Sequence, residues 1–152
     1  MTIEEKAGAG PADREKRGSA RLGSWLLLVA WMAVMYAFSD QPYSGKVTEE
    51  LLGPFNIAVR KAAHLSEYAI LFILSRRAWL ESLAGADRVR LSLLLALALS
   101  TAYAFLDEWH QAFVPGRSAT ISDALIDCSG VTAGWCLWLL YKRYRRGRTL
   151  PR

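Results

Sequence analysis

The stretch Leu91–Tyr141, "LSLLLALALSTAYAFLDEWHQAFVPGRSATISDALIDCSGVTAGWCLWLLY", decides the fold. It opens on an apolar run with no charge before Asp107 and closes on another with no charge after Asp127. Between them stand Asp107, Glu108, His110, Arg117, Asp123 and Asp127. A bilayer asks for about 20 helical residues per crossing. Counted forward from Leu91, such a helix ends near His110; counted back from Tyr141, it begins near Ser122. The turn dipeptide Pro115-Gly116 joins the two. Two apolar helices therefore meet at one polar end, with their charges gathered at the connection.

The same counting extends outward. "LGSWLLLVAWMAVMYAFS", Leu22–Ser39, carries no charge and is close to a full span, ending near Gln41 and taking in Asp40. "LSEYAILFIL", Leu65–Leu74, lies between Lys61 and Arg76, which enclose only 14 residues. To reach about 20, this helix must be taken back to Asn56, and it then includes Arg60, Lys61, His64 and Glu67. A cleaved signal peptide is the competing reading of the first apolar run, but the run is long for that role.

Composition agrees with a membrane protein. Of 152 residues, 53% are hydrophobic and six are Trp. The net charge of +5 could suggest nucleic acid, yet Lys and Arg cluster at the two ends and in one middle connection, without aromatic interleaving. Five precede the first helix, four lie between the second and third, and six follow the fourth. By the positive-inside rule those three sets belong in the cytoplasm. The expectation is an all-α polytopic membrane protein, a four-transmembrane-helix bundle with both termini cytoplasmic. Residues 1–21 read as a disordered basic tail, 22–141 as the membrane domain and 142–152 as a basic cytoplasmic tail. Cys128 and Cys136 lie about 12 Å apart along one helix, too far for a disulfide.

In this topology Asp40, Arg60, Lys61, His64, Glu67, Asp107, Glu108, His110, Asp123 and Asp127 all fall at the extracytoplasmic end. Arg60, His64 and Glu67, with Lys61 and Tyr68 one step round, stack on one helical stripe, and Asp123 and Asp127 stack at i, i+4. Such stripes should face inward. Arg60 and Lys61 oppose the dipole of their own helix, as do Asp107 and Glu108 at the end of theirs. An ion pair between the two sets is therefore expected. Gly130 and Gly134, four apart, suit a close helix approach.

These residues resemble the VanZ-like family of small integral membrane proteins. The likeness rests on "YAFSDQP", on "RKAAHLSEYAIL" with Lys61, His64 and Tyr68 in the pattern K-x-x-H-x-x-x-Y, and on "DEWHQAFVPGRSATISDALIDCSGVTAG". The last contains D-E-x-x-Q at Asp107, Glu108 and Gln111, then P-G-R, then an acidic helix start. Cys128 departs from the pattern, where Asn is more usual. The resemblance implies a multi-pass protein of the bacterial cell envelope, in the inner (plasma) membrane. The family's namesake is linked to low-level resistance to the glycopeptide teicoplanin.

Three functions follow as expectations. In the first, an anionic lipid-linked or cell-wall-related molecule binds at the polar end, with Lys61, His64, Arg117, Asp107, Glu108, Gln111 and Asp123 as ligand-binding residues. In the second, the protein is a hydrolase or transferase on such a substrate, with His64 as general base positioned by Glu67 or Asp123. No nucleophile motif accompanies it: Ser66 points round the helix from His64, and Ser118 and Ser122 lack a G-x-S-x-G frame. The third is a structural scaffold. The residues call for no cofactor and no metal, since no H-E-x-x-H or comparable spacing is present. The lipid bilayer is the expected partner, and nucleic acid is not.

Overall fold

A computed structural model describes residues 10–117 and 120–148. Among them every regular element is helical: α1 (Pro11–Ser39), α2 (Ser44–Leu52), one 3-10 turn (Gly53–Phe55), α3 (Asn56–Ser82), α4 (Arg88–Gln111) and α5 (Ile121–Arg148). Within α1, α4 and α5 lie three segments long and apolar enough to cross a membrane. α3 has 27 residues and so is about 40 Å long, but any 18-residue window of it includes at least three of Arg60, Lys61, Glu67, Arg76, Arg77 and Glu81. Its length is that of a span and its composition is not. The start of α3, the end of α4 and the start of α5 fall within a residue of where span counting puts them.

Two helices run further than their apolar segments. Residues 11–21, read as tail, form the first turns of α1, which has Pro in its first turn and Asp13 beside the partly positive helix end. Likewise residues 142–148 prolong α5. Residues 1–9 and 149–152 of those tails lie outside the described residues, as do Ser118 and Ala119. Helix α2, in the first connection, was not expected at all.

Side-chain bonds fix the helix directions. Ser24 bonds Glu81, Trp25 Nε1 donates to Ser82 Oγ (2.8 Å) and Trp31 Nε1 donates to the Glu67 carbonyl (3.1 Å), so α1 and α3 run antiparallel. The Tyr103 hydroxyl donates to the Met32 carbonyl (2.8 Å) and His110 meets Asp40 (3.1 Å), so α4 runs parallel to α1. His64 meets Asp127 and Arg76 meets Trp138, so α5 runs parallel to α3. The four long helices thus alternate in direction. The indole and phenol donors find acceptors while their rings pack among apolar side chains, which is how Trp and Tyr serve such a bundle.

The tightest contact is α3 on α5. A Cβ at Gly130 would stand 2.5 Å from the Leu65 carbonyl oxygen, and one at Gly134 would stand 2.7 Å from that of Ala69. The two backbones touch there, as small residues four apart allow. The interior holds Leu28, Met35, Tyr68, Leu71 and Phe72, while Leu26, Ile73, Leu94, Leu125 and Leu137 point outward. An apolar exterior of this extent is lipid-facing rather than aqueous.

Candidate functional site

His64 lies on α3 two turns from its start, where the α3–α5 contact brings Asp127 against it. Its Nδ1 is 3.0 Å from Asp127 Oδ1. The Asp127 side chain is fully buried, whereas that of His64 is 22% exposed. Among the described residues the other oxygen of Asp127 has no hydrogen-bond partner. Asp127 thereby fixes the imidazole orientation and leaves the far ring nitrogen free for other work.

His64 also borders two clefts. The first, about 130 Å³, lies between α3, α4 and α5, where Arg60, Lys61 and His64 face Glu108, Asp123 and Asp127. The second, about 400 Å³, lies between the ends of α1, α2 and α3 and includes Met35, Phe38, Arg60, His64, Glu67 and Arg117. The single stripe expected on α3 therefore divides: Glu67 belongs to the second cleft, Lys61 to the first, and Arg60 and His64 to both.

The expected cross-helix ion pair is absent among the described residues. Asp107 Oδ2 instead accepts from the Tyr68 hydroxyl (3.3 Å) and from Gln111 Nε2 (3.0 Å). Glu108 accepts from the backbone N–H of Thr120 (3.1 Å), and its second oxygen is buried without a partner among the described residues. The reason is axial level: Asp107 sits beside Tyr68, seven residues or about 10 Å along α3 from Lys61, and Lys61 is exposed. Asp123 does not orient His64. It accepts from the Thr120 hydroxyl (2.8 Å) while its own N–H donates back to Thr120 Oγ1 (3.2 Å), closing the start of α5.

Arg117 meets neither Asp107 nor Asp123 in an ion pair. Its Nη2 donates to the Phe38 carbonyl at the end of α1 (2.6 Å), its Nη1 to Gln111 Oε1 (3.3 Å), and its Nε is buried without a partner among the described residues. Outside the membrane-spanning segments, its pKa is lowered first by burial and then by the like charge of Arg60, with Asp107, Glu108 and Glu67 acting in the opposite sense. Two guanidinium groups are thus close enough to repel at one cleft.

Span counting missed the role of Asp127, although its i, i+4 spacing with Asp123 had placed it on the right stripe. Arg60 was legible as a charge but not as a residue of both clefts. Among the described residues no three of His, Cys, Asp and Glu gather as metal ligands would. Compared with known families, the chain matches the family model described as VanZ/LLP1 over residues 24–142. No curated protein and no solved structure matches it.

Proposed function

The chain belongs to the VanZ/LLP1 family, and from that premise we propose that it is a four-crossing inner-membrane protein that binds an anionic lipid-linked or cell-wall-related molecule at its polar end. One observation carries the reading. Arg60 and Arg117 share the second cleft with one carboxylate, Glu67, and among the described residues neither arginine has an ion-pair partner. A phosphate or carboxylate between them relieves their repulsion and gives the buried Arg117 Nε an acceptor. Met35 and Phe38 on the same cleft suit the apolar part of such a molecule.

Binding of vesicles containing a polyprenyl phosphate tests this. Arg117→Lys keeps the charge and loses the planar fork, so affinity should fall at least about tenfold in a folded protein, where each tenfold is about 1.4 kcal/mol. Unchanged binding by Arg117→Lys and by Arg60→Gln would remove the site.

The His64–Asp127 pair supports a second reading, hydrolysis or transfer. An aspartate on Nδ1 leaves Nε2 as the basic nitrogen, able to take a proton from water or from a substrate hydroxyl. His64→Gln separates the two: release of inorganic phosphate from a polyprenyl diphosphate should vanish if His64 is a general base, whereas a binder should keep much of its affinity.

A further inference from the structure

The end of the bundle away from His64 holds a second charged feature, which the proposed function does not use. Arg76 lies twelve residues beyond His64 on α3, about 18 Å along the helix. It is only 7% exposed, and among the described residues its Nε has no hydrogen-bond partner. Among the described residues no carboxylate pairs with it. Its guanidinium stacks on the Trp138 ring of α5 at 3.7 Å, and Lys142 Nζ approaches the same ring at 5.2 Å. Glu81, an acid on the wall of the same cleft, is engaged by Arg77 (3.0 Å) and by Ser24.

A cleft of about 520 Å³ opens here between α3 and α5, with Phe72, Ile73, Arg76, Leu137, Trp138 and Tyr141 among its walls. Ile73 and Leu137 are exposed on the lipid-facing exterior. A ligand that fits must combine an anionic head with an apolar body. We propose that this cleft binds the phosphate diester headgroup of an anionic membrane lipid, with Arg76 as the principal contact and Lys142 completing the charge.

Three physical arguments converge on that chemistry. A buried guanidinium with an unused Nε–H presents a fork that a tetrahedral oxyanion fills. Stacking on Trp138 holds the plane of that fork, which lowers the ordering cost of binding. Arg76 also lies six residues, about 9 Å, before the end of α3, at the depth where Trp, Tyr and basic side chains meet lipid headgroups.

The test uses the full chain in neutral detergent, with bound lipid counted by native mass spectrometry and melting followed in parallel. Phosphatidylglycerol should remain bound and raise the melting temperature; phosphatidylcholine, a diester without net charge, should bind at least tenfold more weakly. Inorganic phosphate should fail to displace the lipid at a hundredfold excess; if it competes equally, the site is for a free phosphate and the lipid assignment is overturned. Arg76→Lys should lower phosphatidylglycerol retention at least fivefold and Lys142→Gln about twofold, while Arg90→Gln, exposed on α4 away from this cleft, should change nothing. If Arg76→Lys does not fold, Lys142→Gln together with lipid selectivity in the unmodified protein decides. Equal retention of both lipids, or retention by folded Arg76→Lys equal to that of the unmodified protein, would overturn the proposal.

Discussion

At the scale of single residues, the bundle depends on places where an atom has no room to change. Gly130 and Gly134 are two of them, since any Cβ there would meet an α3 backbone oxygen rather than a movable side chain. Gly130→Ala and Gly134→Ala should each cost about 1 to 3 kcal/mol by forcing the helices apart. Gly147→Ala, which meets nothing within 4 Å, should be neutral or slightly stabilising because Ala favours the helix. Thermal melts in detergent check the contrast, and equal melting of all three would mean that α3 and α5 are not in backbone contact. The His64–Asp127 pair supports a second expectation. Removing either partner leaves a buried polar group unsatisfied, at about 1 to 3 kcal/mol, so His64→Ala and Asp127→Ala should couple in a double-mutant cycle by more than about 0.5 kcal/mol. Additive effects would disprove the bond. Spacing in the sequence placed both residues on inward stripes but left His64 between several carboxylates. Choosing Asp127 needs the rotation and register of α5 against α3, and those follow from the glycine contact rather than from any pattern local to His64.

At the scale of elements, the unexpected α2 is held by the two connections at the polar end. The Tyr43 backbone N–H donates to the Pro115 carbonyl (3.1 Å), with Tyr43 itself in the left-handed region at φ 56°. Its ring lies over Gly116, whose φ of 76° already disfavours a side chain. Gly116→Ala would add a methyl into the Tyr43 ring and strain the turn, so the two connections should part and α2 should loosen over the second cleft. Limited proteolysis between Tyr43 and Phe55 is expected to speed up several-fold, with melting of the bundle changed by less than at Gly130. No change in cleavage would show that α2 is anchored by other contacts. α1, α4 and α5 were legible because apolar run length is a direct physical demand of the bilayer, and α3 because its short apolar run had to be carried back to Asn56 to reach that length. α2 was not, because its nine residues bury no side chain and it carries only a weak pattern of its own. The basic start of α1 was misread for a related reason: charge and Gly content argue against a core, yet a helix already formed by its apolar part can extend through polar turns at little cost.

At the scale of the whole molecule, helix direction and charge distribution make the same demand. α1 and α4 run one way and α3 and α5 the other, an alternation that supports the proposed fourth crossing by α3. The polarity of α3 is then no obstacle, because Arg60 and His64 line clefts, Tyr68 is buried and Arg76 is stacked on Trp138. Arg17, Arg21 and Arg88 line one cleft at the end opposite His64, and the positive-inside rule supports the proposed orientation with that end in the cytoplasm. Single cysteines in a background without Cys128 and Cys136 test the arrangement. Val47→Cys and Phe113→Cys, both exposed at the polar end, should react with a membrane-impermeant maleimide on intact cells. Ala84→Cys, exposed in the α3–α4 connection, should react only after permeabilisation. The inverse pattern would keep four crossings and reverse the orientation, removing the polar clefts from the envelope side and with them the binding of an outer-leaflet molecule. Labelling of Val47→Cys and Ala84→Cys from one side would show that α3 does not cross, and the alternation of helix directions would then have to arise without a membrane between their ends.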